Sequence, residues 1–222
     1  MRGGGYGSSR IIDKIDFSDF RSNAKWIVGF SDITVFHSLM NCTYNIATIH
    51  SPMPVNSESS YFASNLKQLD EILRGKRNDI QIPYHPLNRK GQSRGKITGG
   101  NLSILHNLQS TPFEIKTENT VLFIEDMGEQ LYHLDRMLNN LLLSGKLEKL
   151  KGLVVGSMTE MQDKKRPFGK TAYQIVLDAV KNFEFPVAFD FPAGHIENNI
   201  PFVLGVSTEL MVGNTNTVLK YD

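Results

Sequence analysis

The run Lys25-Trp26-Ile27-Val28-Gly29-Phe30-Ser31-Asp32-Ile33-Thr34 constrains the fold of this chain more than any other stretch. Trp26 to Phe30 is short, apolar and rich in β-forming residues, the pattern of a buried strand. It stops at a Ser-Asp pair, and Ile33 to Met40 follows with helix-like apolar spacing. A strand that turns sharply into a helix at a serine holds the hydroxyl outward and points the helix's first N–H groups toward it. Several hydrolase folds present a nucleophile this way. The same residues also fit a plainer role, because serine and aspartate are both good N-caps and either could simply start the helix.

The chain has 222 residues, enough for one large domain or two small ones. Hydrophobic residues at 40% and charged residues at 21% match an ordinary globular protein. The net charge of +1 gives no reason to expect nucleic acid or an anionic membrane as partner. Cys42 is the single cysteine, which excludes an intrachain disulfide and a cysteine-based zinc site. No apolar run is long enough to span a bilayer, and Met1-Arg2 leads into glycines rather than a signal-peptide pattern. A reducing, cytoplasmic setting is the expectation.

Met1 to Ser9 is a glycine-rich turn, with the helical segment Ser9 to Ile15 after it. Such a loop brings N–H groups close to a phosphate or a developing oxyanion. It lacks the Lys-Ser/Thr of a P-loop, and no strand precedes it, so a nucleotide site is not expected. A flexible terminus is the alternative reading. Glycine-rich loops of α/β domains normally follow a strand, so the sequence is expected to begin inside a domain whose first strands lie ahead of it. Ile11 to Phe20 is amphipathic, and Ile46 to Ile49 reads as a strand ending in the proline-fixed loop His50-Ser51-Pro52-Met53-Pro54. Ser57 to Leu73 reads as an amphipathic helix, capped by Ser57 or Ser59 and stopped by Gly75. Tyr61, Leu66, Leu69, Ile72 and Leu73 fall on or near its apolar face.

The polar, proline-containing segment 76–95 reads as an interdomain crossing. Beyond it, Lys96 to Ser103 leads into a helical stretch, Thr120 to Ile124 is a buried strand stopping at Glu125-Asp126, and Tyr132 to Gly145 is a helix. Leu153 to Val155 is a strand, Thr171 to Asn182 a helix, and Val187 to Phe189 a strand before Phe191-Pro192-Ala193-Gly194-His195. Three short strands close the chain at Phe202 to Val206, Glu209 to Val212 and Thr217 to Tyr221. The expected class is α/β: residues 1–75 as a partial parallel-sheet domain with helices packed on it, and 96–222 as a mixed α and β domain with strands concentrated at its end.

Ser31, Glu125 and His195 each stand at the end of an apolar strand. A serine hydroxyl is too weak an acid to attack a carbonyl unaided; an imidazole must take its proton, and a carboxylate must hold that imidazole in the right tautomer. Each residue has a plainer reading as well. Glu125 fits a solvated carboxylate or an acid at a helix N-terminus, and His195 a surface loop histidine. His37 reads as a partly buried packing residue, His50 as lining a pocket or bracing its loop, and His106 and His133 as surface or satisfied core groups on helices. No His-Glu-x-x-His pattern occurs, so metal hydrolysis is not expected.

Taken together, several stretches resemble the LD-carboxypeptidases (muramoyltetrapeptide carboxypeptidases), a family that includes the microcin self-immunity peptidases. They are Arg2-Gly3-Gly4-Gly5-Tyr6-Gly7-Ser8, Gly29-Phe30-Ser31-Asp32-Ile33-Thr34, His50-Ser51-Pro52-Met53, Gly99-Gly100-Asn101-Leu102-Ser103, Leu122 to Glu129, Leu134-Asp135-Arg136-Met137-Leu138 and Gly194-His195. The resemblance runs in order over nearly the whole chain. It implies a flavodoxin-like N-terminal domain carrying the nucleophile and a β-rich C-terminal domain carrying the other two groups. It further implies a triad of Ser31 as nucleophile, Glu125 as orienting carboxylate and His195 as general base, with backbone N–H groups of Asp32 and Gly5 as the oxyanion hole. The implied activity is removal of the terminal D-alanine from a murein tetrapeptide in the cytoplasm, without metal or cofactor, in a family whose members are often dimers. Self-immunity members act instead on an aminoacyl-nucleotide antibiotic. Two departures from the family pattern stand out: three glycines follow Arg2 where two are expected, and the family's first strands precede this loop. A partial N-terminal domain, and even a remnant that binds peptide without cleaving it, therefore stay among the expectations.

Overall fold

The computed structural model describes residues 5–222, so the Arg2-Gly3-Gly4 part of the glycine-rich stretch lies outside the described residues. In chain order the elements are β1 (Val28–Gly29), α1 (Thr34–Leu39), β2 (Thr48–His50), α2 (Phe62–Leu73), β3 (Ile80–Pro83), β4 (Gly91–Asn101) and α3 (Leu102–Asn107). They continue with β5 (Thr120–Met127), α4 (Leu131–Leu143), β6 (Gly152–Thr159), α5 (Ala172–Ala179), β7 (Val187–Ala188), β8 (Phe202–Leu204), β9 (Ser207–Val212) and β10 (Asn216–Tyr221).

These strands form two sheets, β1-β2-β8 and β3-β10-β9-β4-β5-β6-β7. From β4 to β7 the larger sheet is parallel, and α3, α4 and α5 make the crossovers that parallel neighbours require. On its other side β9, β10 and β3 pair antiparallel. The parallel ladder expected of the first 75 residues is thus longest in the second region. In the small sheet, β1 and β2 are parallel and β8 joins antiparallel.

Strand alternation explains how the sheets stack. On β5, Leu122 and Ile124 face the helices, packing with Leu134, Met137 and Leu141 of α4. Val121 and Phe123 face the other way, toward Phe202 and Leu204 of β8. Between these two, Val203 points to the opposite face and meets Ile49 of β2 and Ile72 of α2. The small sheet therefore lies between α2 and the large sheet, with both faces of β8 buried.

Four sequence expectations are revised. Segment 76–95 crosses between the sheets, but it also supplies β3 and the first half of β4. Its polar alternation suits an edge strand and a strand with one wet face. The helix expected from Ser57 begins at Phe62, because the Ser59 hydroxyl donates to the Glu197 carbonyl (2.8 Å) and caps no helix. Its inward face is Phe62, Asn65, Leu69 and Ile72, and it leaves Tyr61, Leu66 and Leu73 more than two-fifths exposed. Ile11 to Phe20 keeps its amphipathic character through short turns, with Ile12 buried and Phe17 and Phe20 packed toward α1, whereas Trp26, expected in the strand, lies outside β1, 41% exposed.

Helix α1 docks against the end of β4, where Thr34 Oγ1 accepts from Asn101 N (3.0 Å). Gly100 makes this approach possible: its φ is +148°, and a Cβ there would stand 2.4 Å from Thr34 Oγ1. Gly100→Ala is expected to lower unfolding free energy by about 2–4 kcal/mol through strain and displacement of α1, read as a lower urea midpoint; an unchanged midpoint would contradict this packing.

Candidate active site

Ser31 follows β1 at φ +59°, a left-handed conformation that costs a residue with a Cβ about 1–2 kcal/mol. The turn is held from several sides. Ile33 N donates to Phe30 O (3.1 Å), Ser51 N to Gly29 O (3.2 Å), and the buried His37 donates from Nε2 to the same Gly29 carbonyl (2.9 Å). Neither Ser31 nor Asp32 caps the helix that follows with its side chain. The Asp32 carboxylate instead accepts from Ser8 N (2.9 Å), drawing the glycine-rich loop against the serine turn. Gly5 is exposed.

On β5, period-two alternation continues from Val121 and Phe123 to Glu125, which therefore faces the small sheet, fully buried. Asp126 points to the helix side, accepting from Asn101 Nδ2 (3.0 Å), Ser103 N (2.9 Å) and Met127 N (2.9 Å). A register shift between Ile124 and Asp126 against β6 places Gly156 and Ser157 opposite Glu125. Above them runs the loop after β7, where Gly194 adopts φ +120°. A Cβ on it would stand 2.7 Å from Glu125 Oε2, so only glycine lets the next residue come down onto the carboxylate.

The three candidate side chains, 70 and 164 positions apart in the chain, meet here. His195 Nδ1 lies 2.7 Å from Glu125 Oε2, and His195 Nε2 lies 3.2 Å from Ser31 Oγ. With Glu125 ionised, the ring proton belongs on Nδ1, leaving the Nε2 lone pair for the serine hydroxyl to donate into. The Phe30 ring packs on the imidazole (centroids 4.9 Å apart), and Thr159 Oγ1 donates to the His195 carbonyl (3.1 Å). Burial acts to lower the His195 pKa, but the hydrogen bond and charge of Glu125 outweigh it, with Asp126 and Glu160 adding. The net effect raises it above the ordinary 6.5. Burial, with Glu125 adjoining, pushes Asp126 up to about 7 despite its donors. A cavity of about 520 Å³ opens beside His195, lined by Phe30, Pro52, Glu58, Phe62, Met127 and Glu197 among others.

The remaining histidines take other places. His37, expected to be partly buried, is wholly enclosed, and burial pushes its pKa down to about 4. His50 is buried among Phe30, Phe123 and Phe202. His133 pairs with Glu129 (2.5 Å) on the helix side, and His106 packs on its ring. Among the described residues, no three His, Cys, Asp or Glu side chains gather closely enough to hold a metal ion. Sequence reasoning passed over Asp126 and Asn101. Asn101 heads α3 as its N-cap, its Oδ1 accepting from Ile104 N (3.2 Å), a signal the Asn-Leu-Ser run carries.

The chain is similar to known proteins over nearly its whole length. Family models describe residues 1–51 as an LD-carboxypeptidase N-terminal domain and residues 94–210 as an LD-carboxypeptidase C-terminal domain. A probable murein peptide carboxypeptidase of Bacillus subtilis is 31% identical over 98% of this chain and 69% of its own length. The crystal structure of a muramoyltetrapeptide carboxypeptidase from Oxalobacter formigenes superposes with a TM-score of 0.85 at 27% identity, over 99% of this chain and 77% of that one. A structure of MccF in complex with glutamyl sulfamoyl guanosine shares the fold, with a TM-score of 0.83 at 19% identity over 100% and 75% of the two chains.

The Glu125–His195 pair has a testable signature. Since the folded-state pKa of His195 lies above 6.5, the pair's contribution to stability is fully present below pH 6.5 and is lost as pH rises through the folded value. In Glu125→Gln the raising influence goes and burial remains, so the His195 ring titration followed by NMR is expected to move to lower pH; an unmoved titration would contradict the pairing.

Proposed function

The chain belongs to the LD-carboxypeptidase family, and from that premise we propose that it is a serine carboxypeptidase cleaving the L–D peptide bond before the terminal D-alanine of a murein tetrapeptide. The observation that carries the reading is the continuous chain of contacts from Ser31 Oγ through the His195 ring to Glu125. Neutral His195 takes the hydroxyl proton as Ser31 Oγ adds to the scissile carbonyl. Glu125 holds the ring in the tautomer this requires and offsets the charge of the imidazolium.

The tetrahedral oxyanion is received by the backbone N–H groups of Asp32 and Gly5, which lie on the turn and the loop that Asp32 and Ser8 tie together. Donors in place before the charge develops contribute about 3–4 kcal/mol each in comparable sites. Collapse of the intermediate passes the proton from His195 to the departing amine, releasing D-alanine. His195 then activates water against the acyl ester. A base raised above 6.5 by a neighbouring carboxylate is stronger than a free imidazole, at the cost of being protonated further up the pH scale.

The chain's own side chains supply nucleophile, base and charge stabilisation, so the reading needs no cofactor. Action in the cytoplasm as a homodimer belongs to the same reading. Among the described residues no helix is long and apolar enough to cross a membrane. The likeness in fold to MccF supports a second reading, in which the same relay acts on a different amide, one joined to a nucleotide-like group. A substrate panel separates the two readings by whether a murein tetrapeptide or an aminoacyl-nucleotide analogue turns over.

Ser31→Ala is expected to reduce release of D-alanine from a murein tetrapeptide by about 10³-fold or more while leaving the circular dichroism spectrum and Tm close to those of the parent. Full activity in that variant sinks the assignment, and an inert parent would favour a remnant that only binds peptide.

A further inference from the structure

His195 stands on a loop, and the neighbours that set its height above Glu125 lie outside the Ser31–His195–Glu125 relay. Asn199, on the same loop, is 2% exposed, and its Oδ1 accepts from both Gly194 N (3.0 Å) and His50 Nε2 (2.9 Å). Two donors on one atom settle the chemistry: the amide oxygen faces both, and neutral His50 carries its proton on Nε2. The Asn199 backbone carbonyl accepts from Asn65 Nδ2 of α2 (3.1 Å). Thus one asparagine ties the loop to β2 through His50 and to α2 through Asn65.

We propose that Asn199 and His50 are positioning residues that hold His195 in register with Glu125 and Ser31, an inference that rests on the reading of His195 as the base. Two routes run from His50 to His195. One passes through Asn199 to the N–H of Gly194, the residue immediately before His195. The other passes through packed rings, with Phe30 5.7 Å from His50 and 4.9 Å from His195 between centroids. His50 is also the register partner of Gly29, two residues before Ser31, so one side chain references both the serine turn and the histidine loop.

The clearance over Glu125 is small. A Cβ on Gly194 would stand 2.3 Å from Ser157 Oγ and 2.7 Å from Glu125 Oε2. Loss of the Asn199 acceptor would leave the Gly194 N–H buried without a partner, and the loop would rise to reach water, lengthening the His195–Glu125 bond. Stability alone does not account for the pair. Among the described residues His50 Nδ1 and Asn199 Nδ2 are buried with no partner, a burden that apolar side chains of similar size would not carry. Burial, with further lowering from His37 and His195 against the raising bond to Asn199, takes the His50 pKa down to about 3. Its Nε2 therefore goes on donating across the whole working pH range, as a clamp rather than a switch.

A fluorophosphonate probe tests the proposal without calling on peptide recognition. Ser31 Oγ displaces fluoride from phosphorus, and the hydroxyl proton passes to His195. In His50→Phe, which keeps a ring in the aromatic cluster, and in Asn199→Leu, labelling is expected to slow by about 10–100-fold. The acid limb of the labelling rate moves to lower pH as the raising influence of Glu125 weakens. Asn199→Asp keeps the accepting oxygen and is expected to label within about 3-fold of the parent, with the acid limb moved to higher pH by the negative charge added against Gly194, the residue before His195. Parental rate and pH limb in folded His50→Phe would overturn the proposal, as would equal slowing in all three variants with no movement of the limb. Should Asn199→Leu fail to fold, the other two variants carry the test. Absence of labelling at Ser31 in the parent would instead overturn the reading of the relay itself, and the positioning role with it.

Discussion

A carboxylate with no exposed surface sits between the two sheets, and its hydrogen bond among the described residues is to His195. Removing such a group from water costs several kcal/mol unless a donor meets it, and breaking a buried pair typically costs about 3–5 kcal/mol. The site is arranged around meeting that demand. The bulge opposite Glu125, the left-handed Gly194 and the loop after β7 all serve to bring one imidazole down onto one oxygen. The other oxygen, Oε1, has no partner among the described residues, so the geometry of the pair depends on the loop above it.

The serine side of the site is built on a different principle. Ser31 sits in a backbone conformation unfavourable for a residue with a Cβ, and the structure offsets this with hydrogen bonds to Gly29 from Ser51, just past β2, and from His37. The strain holds the hydroxyl out from the end of a strand only two residues long. Aromatic packing then joins the two halves. Phe30 from the serine turn lies on His195, and Phe123 and Phe202 close the space beneath His50, contacts of about 0.5–1.5 kcal/mol each. The stacking of the sheets and the alignment of the reactive groups are consequences of the same cluster.

Much of the fold was legible in the order of apolar runs, because strands and helices announce themselves by period. The closing strands, α4 and the strand–turn–helix at Ser31 fall where the sequence places them, within a few residues. The errors share a cause. Tyr61, Leu66 and Leu73 have helical spacing, but which face of α2 is inward depends on the sheet it packs against, and that sheet selects Asn65 and Ile72. Segment 76–95 also supplies β3 and the first half of β4, which its polar composition hid because those strands are at an edge or half wet. Asp126 stood beside Glu125 as a second carboxylate, and alternation from Phe123 separates them: one faces the small sheet, the other the N-terminus of α3.

The sequence by itself determined the local chemistry: a serine at a strand-to-helix turn, a carboxylate in an apolar strand, a histidine after glycine, and the glycines that tolerate close approach. These are properties of neighbours along the chain, and short-range sterics and hydrogen bonding are enough to specify them. What the tertiary structure alone decided is the contact geometry by which Ser31, His195 and Glu125 meet, that Asn199 and His50 stand behind them, and that Asp32 reaches toward the glycine loop instead of capping its helix. Separations of 70 and 164 residues carry no local signal. They close only when two sheets bury their facing apolar surfaces and a charged group between them must find its partner.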